Sequence, residues 1–167
     1  VQRAAINELN YNAITQVHFE VTDDSWRDDG FDANLWSDKT IGRVFASTGG
    51  TKNIQHLVSW VNGDAAKVLD KMSDVDAVRT VHQYLIKHRP SLAGRIKPVY
   101  LNSWGNNPYG GAYSSFGPGQ VNQFAGKMQQ PAGNIFFAGE HTNHEHSGME
   151  SALISALQDV FQLTERL

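Results

Sequence analysis

The sequence predicts an α/β chain, more narrowly an α+β fragment. Three stretches carry that prediction. Ile135 to Ala138 is an unbroken apolar run closed by Gly139, the pattern of a short strand covered on both faces. Met149, Ala152, Leu153, Ala156, Leu157, Val160 and Phe161 then recur at helical spacing. Far upstream, Val17, Phe19 and Val21 alternate with His18 and Glu20, the period of a half-buried strand.

In chain order, Ala4, Ala5, Ile6 and Leu9 share the face of a weak opening helix over residues 2–9. Ile14 to Val21 is the alternating strand, and Thr22 to Gly30 is polar turn material around Trp26. Residues 31–39 are irregular. Ile41–Ser47 and Ile54–Val61 read as strands, separated by a turn at Thr48-Gly49-Gly50-Thr51. Asn62-Gly63-Asp64 is a turn and an N-cap signal for a helix from Ala65 to Met72. Ser73 caps the next helix, with Asp74 and Asp76 in its first turn and Val75, Val78, His82, Leu85 and Ile86 as its buried stripe. Pro90 stops it. His82 is expected to be a core or surface histidine rather than a catalytic one. Val99–Trp104 is the next strand. Residues 105–131 form a Gly-, Asn-, Gln- and Pro-rich loop with interspersed aromatics, long enough to suggest function.

Composition narrows the classes. The 167 residues are 40% hydrophobic and 19% charged, which suits a globular domain with a real core. A formal net charge of −3 favours neither nucleic acid nor an anionic membrane. The absence of cysteine excludes disulfides, thiolate metal sites and cysteine nucleophiles. No run of 18 apolar residues and no signal peptide are present, so a soluble chain is expected, in a compartment the sequence leaves open. The start at Val-Gln fits a portion of a larger polypeptide.

The chemistry concentrates at the end of the chain. A covered strand, a Gly, the carboxylate of Glu140 and a helix N-terminus suit a cofactor carrying hydroxyls and phosphates. His141, His144 and His146 with Glu140, Glu145 and Glu150 make a dense cluster, but neither His-Glu-x-x-His nor His-x-x-Glu-His occurs, and no metal is expected. No Gly-x-Ser-x-Gly supports a serine hydrolase.

Phe136-Phe137-Ala138-Gly139-Glu140-His141-Thr142, with the helix after it, resembles the C-terminal FAD signature of flavin-containing amine oxidases, the family of monoamine, polyamine and L-amino acid oxidases. The resemblance implies the C-terminal part of a two-domain FAD-dependent amine oxidase, completing a Rossmann-like FAD domain and a mixed-sheet substrate domain. Residues 1–20 would be the return from the FAD domain, 21–103 part of the substrate domain, 104–133 an interdomain region beside the flavin, and 134–167 the last strand and helix of the FAD domain. Trp26 matches the aromatic residue that follows the returning strand in the family. The implied cofactor is FAD, held by Gly139, Glu140, Thr142, Gly148, Met149 and Glu150. Glu140 would lie beside the ribose and diphosphate. The first-turn amides at Met149 and Glu150 would face the flavin pyrimidine ring.

Trp104 and Pro108-Tyr109-Gly110-Gly111-Ala112-Tyr113 resemble the family's aromatic segment beside the flavin, which makes Trp104 and Tyr109 pocket walls at the reacting centre and Tyr113 part of the substrate pocket. Gly148 stands where many relatives place a cage aromatic, so His144 or His146 is expected to line that space. Such a pocket suits an amino acid or charged amine better than a small aryl amine. The Gly-x-Gly-x-x-Gly motif is absent, as are a lysine near the flavin and an arginine for a substrate carboxylate. The expected partners are therefore an N-terminal portion carrying the Gly-rich FAD motif, as a segment or separate chain, a small-molecule amine or amino acid, and further copies in an oligomer. A dehydrogenase with another electron acceptor, or a non-catalytic assembly subunit, is the competing reading.

Overall fold

The computed structural model describes residues 1–108, 110–143 and 148–165. They form two compact units, one of residues 13–111 and one of residues 1–12 with 112–167.

The unit of residues 13–111 is a five-stranded sheet with two helices on one face. Its strands are β2 (Ile14–Val21), β3 (Leu35–Trp36), β4 (Arg43–Ser47), β5 (His56–Asn62) and β6 (Ile96–Ser103), in the order β3-β4-β5-β2-β6. The helices are α2 (Gly63–Leu69) and α3 (Asp74–His88). Every pairing among the described residues of this sheet is antiparallel. The reason is connectivity: β5 and β6 run the same way, but the crossover through α2 and α3 leaves β2 between them, antiparallel to both.

The alternation in β2 has its expected result. Val17 and Phe19 are fully buried, while His18 is half-buried and Glu20 exposed on the other face. The core adds Val44, Leu57 and Val61 from the sheet, Leu69 from α2, and Ala77, Val81 and Leu85 from α3. The stripe expected on α3 is rotated toward Ala77 and Val81, and Val75 is 67% exposed. Ser73 caps α3 as expected, accepting the Asp76 N–H at 3.2 Å. Asn62 precedes α2 but makes no side-chain cap; its amide donates to Trp60 O instead. His82 is half-buried against the Phe19 ring, at a centroid separation of 5.7 Å. Two polar anchors complete the unit. Asp70 accepts from Thr15 on β2 and Ser103 on β6. Arg89 is buried, forks onto Asp29 at 2.8 and 2.9 Å, donates to the Phe31 and Asp32 carbonyls, and lies over the Trp26 ring.

The second unit contains α1 (Gln2–Glu8), β1 (Asn10–Asn12), β7 (Tyr113–Ser115), α4 (Gln120–Phe124) and α5 (Gly148–Thr164). β1 and β7 pair antiparallel, and Ala5, Phe124 and Met128 form a small core. Ile6, placed on the inner face from the sequence, is 72% exposed because only Ala5 of α1 turns fully inward. The strand expected at 134–138 does not form. Ala132 and Ile135 close a tight isolated bridge, Ile135 is 61% exposed, and no sheet lies across this segment among the described residues.

The larger correction concerns α5. The apolar stripe expected inside faces out: Met149 is 86% exposed, and Leu153, Leu157, Val160 and Phe161 are all exposed. Ser151, Ser155 and Asp159 are buried instead. These three recur every fourth residue, so they form a second stripe along α5. The surface α5 packs on is the hydrogen-bonding backbone of residues 139–143, which a serine face satisfies and an apolar face does not. No described helix is long and apolar enough to cross a membrane.

Candidate functional site

The best-built polar site is the turn around Gly139 and Glu140, in the unit of residues 1–12 and 112–167. Gly139 has φ +147°, a region that L side chains rarely adopt, and an added Cβ would sit 2.8 Å from the His141 ring. The backbone conformation therefore favours glycine here, and a larger residue would also displace the His141 ring. Residues Glu140–Thr142 follow as one short 3-10 turn.

Two serines of α5 hold that turn. Ser155 Oγ accepts the Gly139 N–H at 2.8 Å, and its own proton faces the Ala152 and Gly139 carbonyls at 2.9 and 3.1 Å. Ser151 Oγ donates to the Glu140 carbonyl at 2.8 Å and shares that proton with Asn143 O at 3.1 Å. The fully buried Thr142 donates to Gly139 O at 2.8 Å, so this hydroxyl serves the turn. Glu140 is tied to β7: its Oε2 accepts from the Ser114 N–H at 3.2 Å and the Ser114 hydroxyl at 2.8 Å. His141 shares a hydrogen bond with the Tyr11 hydroxyl of β1 through Nδ1, at 3.1 Å.

Electrostatics follow from this packing. Burial, helped by the Glu140 charge, raises the Tyr11 phenol above its ordinary value. Burial lowers the His141 imidazolium below its ordinary value, and Glu140 opposes part of that shift. Asp159, inside the polar face of α5, is raised by burial.

Gly148, with φ +67°, opens α5, and Met149 and Glu150 follow on exposed positions of its first turn. Tyr113 is exposed on β7, with its carbonyl accepting from the Asn12 amide at 3.3 Å. Trp104 belongs to the unit of residues 13–111, where its indole N–H donates to Gln16 Oε1 at 3.0 Å. Tyr109, His144 and His146 lie outside the described residues. Among the described residues, no group of three or more His, Asp or Glu side chains is arranged to hold a metal.

Sequence reasoning missed Tyr11 and Ser114 as parts of this site, and it took Ser151 and Ser155, with Ala152 and Ala156, only as small residues that let α5 approach the sheet closely. Tyr11 and His141 are 130 residues apart, and no local signal links them. The serines did carry a signal, since their four-residue spacing with Asp159 marks a polar stripe beside the apolar one.

The fold and this turn define a mixed α/β chain whose antiparallel sheet matches known amine oxidases. Among solved structures, a putrescine oxidase triple mutant matches over 96% of this chain and 37% of its own, with TM-score 0.79 and 18% identity. Cyclohexylamine oxidase from Brevibacterium oxydans IH-35A matches over 99% of this chain and 38% of its own, with TM-score 0.77 and 18% identity. The chain belongs to the flavin containing amine oxidoreductase family, whose model matches residues 2–160.

Two curated relatives are an L-amino-acid oxidase of Protobothrops flavoviridis and a putative L-amino-acid oxidase, YobN, of Bacillus subtilis (strain 168). Each is 26% identical, over 96% and 97% of this chain respectively. The chain covers 34% and 35% of those two proteins, so it spans about a third of the length of the curated relatives it matches.

Proposed function

We propose that this chain is the C-terminal portion of an FAD-dependent oxidase that acts on the C–N bond of an amine or L-amino acid. The observation that carries the reading is the Gly139–Glu140 turn stapled by Ser151 and Ser155 to α5, in a chain the family matches almost throughout. The donor set fits FAD: a glycine with no Cβ, a half-buried carboxylate for ribose hydroxyls, and the first turn of a 17-residue helix. Gly139, Glu140 and Thr142 would hold the ribose and diphosphate region, and Gly148, Met149 and Glu150 the isoalloxazine end. When bound, FAD accepts two electrons from the substrate.

The overall change is amine plus dioxygen plus water to carbonyl compound, ammonia and hydrogen peroxide, with the substrate leaving as an imine before hydrolysis. This chain contributes binding and orientation. Ser114 fixes the Glu140 carboxylate, and the two serines fix the turn that presents it. Trp104, Tyr109 and Tyr113 would supply aromatic walls that exclude water and favour the neutral amine. His144 or His146 would line the pocket. Residues 21–103 would serve the substrate domain and 104–133 the path between domains.

Catalysis would require the N-terminal portion carrying the Gly-rich FAD motif. The exposed Ile135 and the outward apolar face of α5 support this, since both need apolar cover. The test is flavin absorbance after refolding with FAD. The chain alone is expected to hold far less than one FAD; a stoichiometric complex would refute the requirement. The assembled enzyme is expected to be yellow and to bleach on adding an L-amino acid or amine in the absence of oxygen. Failure of Glu140→Ala to weaken FAD retention in that enzyme would remove the assignment of the turn.

A further inference from the structure

The outer face of the five-stranded sheet carries a second cluster that the oxidase reading does not use. His18 on β2 and His56 on β5 meet there, with Nδ1 of one 3.0 Å from Nε2 of the other. Their ring centroids are 5.2 Å apart and the planes are tilted by 36°. The two are diagonal neighbours, since His18 pairs with Val58 and His56 with Glu20. The Tyr100 ring of β6 packs against His18 at 5.6 Å and restricts its plane.

We propose that His18 and His56 form a two-imidazole binding site for a divalent transition-metal ion. Two nitrogens bound at about 2.0–2.1 Å to one ion, at an angle of about 90–110°, stand ~2.9–3.4 Å apart. The observed separation falls in that interval, so an ion takes the place of the shared proton once each ring turns its nitrogen lone pair off the N–N line toward it. Both histidines are half-buried on neighbouring inner strands, His56 as the first residue of β5, and the β2–β5 pairing sets their spacing.

Imidazole donors select zinc, nickel or copper over magnesium or calcium. The other coordination positions fall to water, because no third His, Asp or Glu converges here among the described residues. The exposed Glu20 carboxylate lies on the same face as the register partner of His56, and Lys97 is the register partner of Glu20 on the far side. The bound ion clips β2 to β5 and stabilises the sheet unit by mass action.

The test uses the full chain without an added histidine tag, stripped with EDTA. Substoichiometric Cu²⁺ is expected to broaden the imidazole proton resonances of His18 and His56 before those of His82, His88 or His141. Zn²⁺ affinity by calorimetry is expected to fall more than about tenfold in His18→Gln and in His56→Gln. Broadening that starts at other histidines, or unaltered Zn²⁺ binding in both variants, overturns the proposal. The broadening is read on the unaltered chain, so it decides the matter even where a variant folds poorly. No readout involves flavin or oxidase activity, so the outcome is independent of the function proposed above.

Discussion

The two units solve the burial problem in opposite ways. In residues 13–111 one face of the sheet and the facing sides of α2 and α3 bury an apolar core, and the sheet's second face carries polar and aromatic groups. In residues 1–12 and 112–167 the longest helix buries serines and an aspartate and exposes six large apolar residues. The first unit holds the larger apolar core. The second holds a polar, hydrogen-bonded contact beside an exposed apolar surface. Local hydrogen bonding orients α5, and its hydrophobic face is left exposed.

The comparison is sharpened most by Phe19→Ala. Phe19 is fully buried in the sheet unit, and its truncation is expected to cost about 3–5 kcal/mol in urea unfolding. A loss under about 1 kcal/mol would mean that the sheet unit is no better packed than its neighbour. Next comes Ser155→Ala, which strands the Gly139 N–H in a partly buried position and is expected to cost about 1–3 kcal/mol. Faster hydrogen exchange at the Gly139 amide checks it, and an unchanged exchange rate would show that α5 is not held through this serine.

Acidification gives a smaller effect. His18, His82 and His141 all have imidazolium forms disfavoured by burial, with His56 adding to the shift at His18. The unfolded chain therefore binds more protons, and stability is expected to fall as pH drops through about 6.5, the ordinary histidine value. Asp23, held down to about 2 chiefly by hydrogen bonds from Ser25 and also by Arg95, adds stability present above the ordinary carboxylate range and lost as pH falls through about 2. Asp159 acts in the other direction: its raised value gives stability that is fully present below the ordinary carboxylate value and is lost as pH rises above it. Melting temperatures from pH 8 to pH 5 test the histidine part; a flat profile would contradict it.

The smallest expected effect is Leu157→Lys on α5. At 59% exposure it should change the stability of the isolated chain by less than about 0.5 kcal/mol. The same substitution should weaken complementation by the N-terminal portion, measured as flavin recovered on co-refolding. A large loss of stability in the isolated chain would show that Leu157 is inside after all.

Legibility in the sequence tracked how local the cause was. The bounds of β2 match the alternating run Ile14–Val21, and the Ser73 cap starts α3 where the spacing places it. The turn at Gly139 was legible from Gly-Glu after an apolar run, though its partners Tyr11 and Ser114 were not. The strand at 134–138 and the inward apolar face of α5 were expected because apolar periodicity reports an affinity for apolar surface. Periodicity does not report whether that surface is present.

What the sequence alone determined is therefore the set of local conformations and the family signature, since backbone preference, capping and side-chain spacing act within a few residues. Tertiary structure alone decided which stripe of α5 turned inward, that β2 lies between β5 and β6, and that His18 meets His56. Each depends on which surfaces distant segments bring together, and α5 turned its serines inward because the surface it met was hydrogen-bonding backbone.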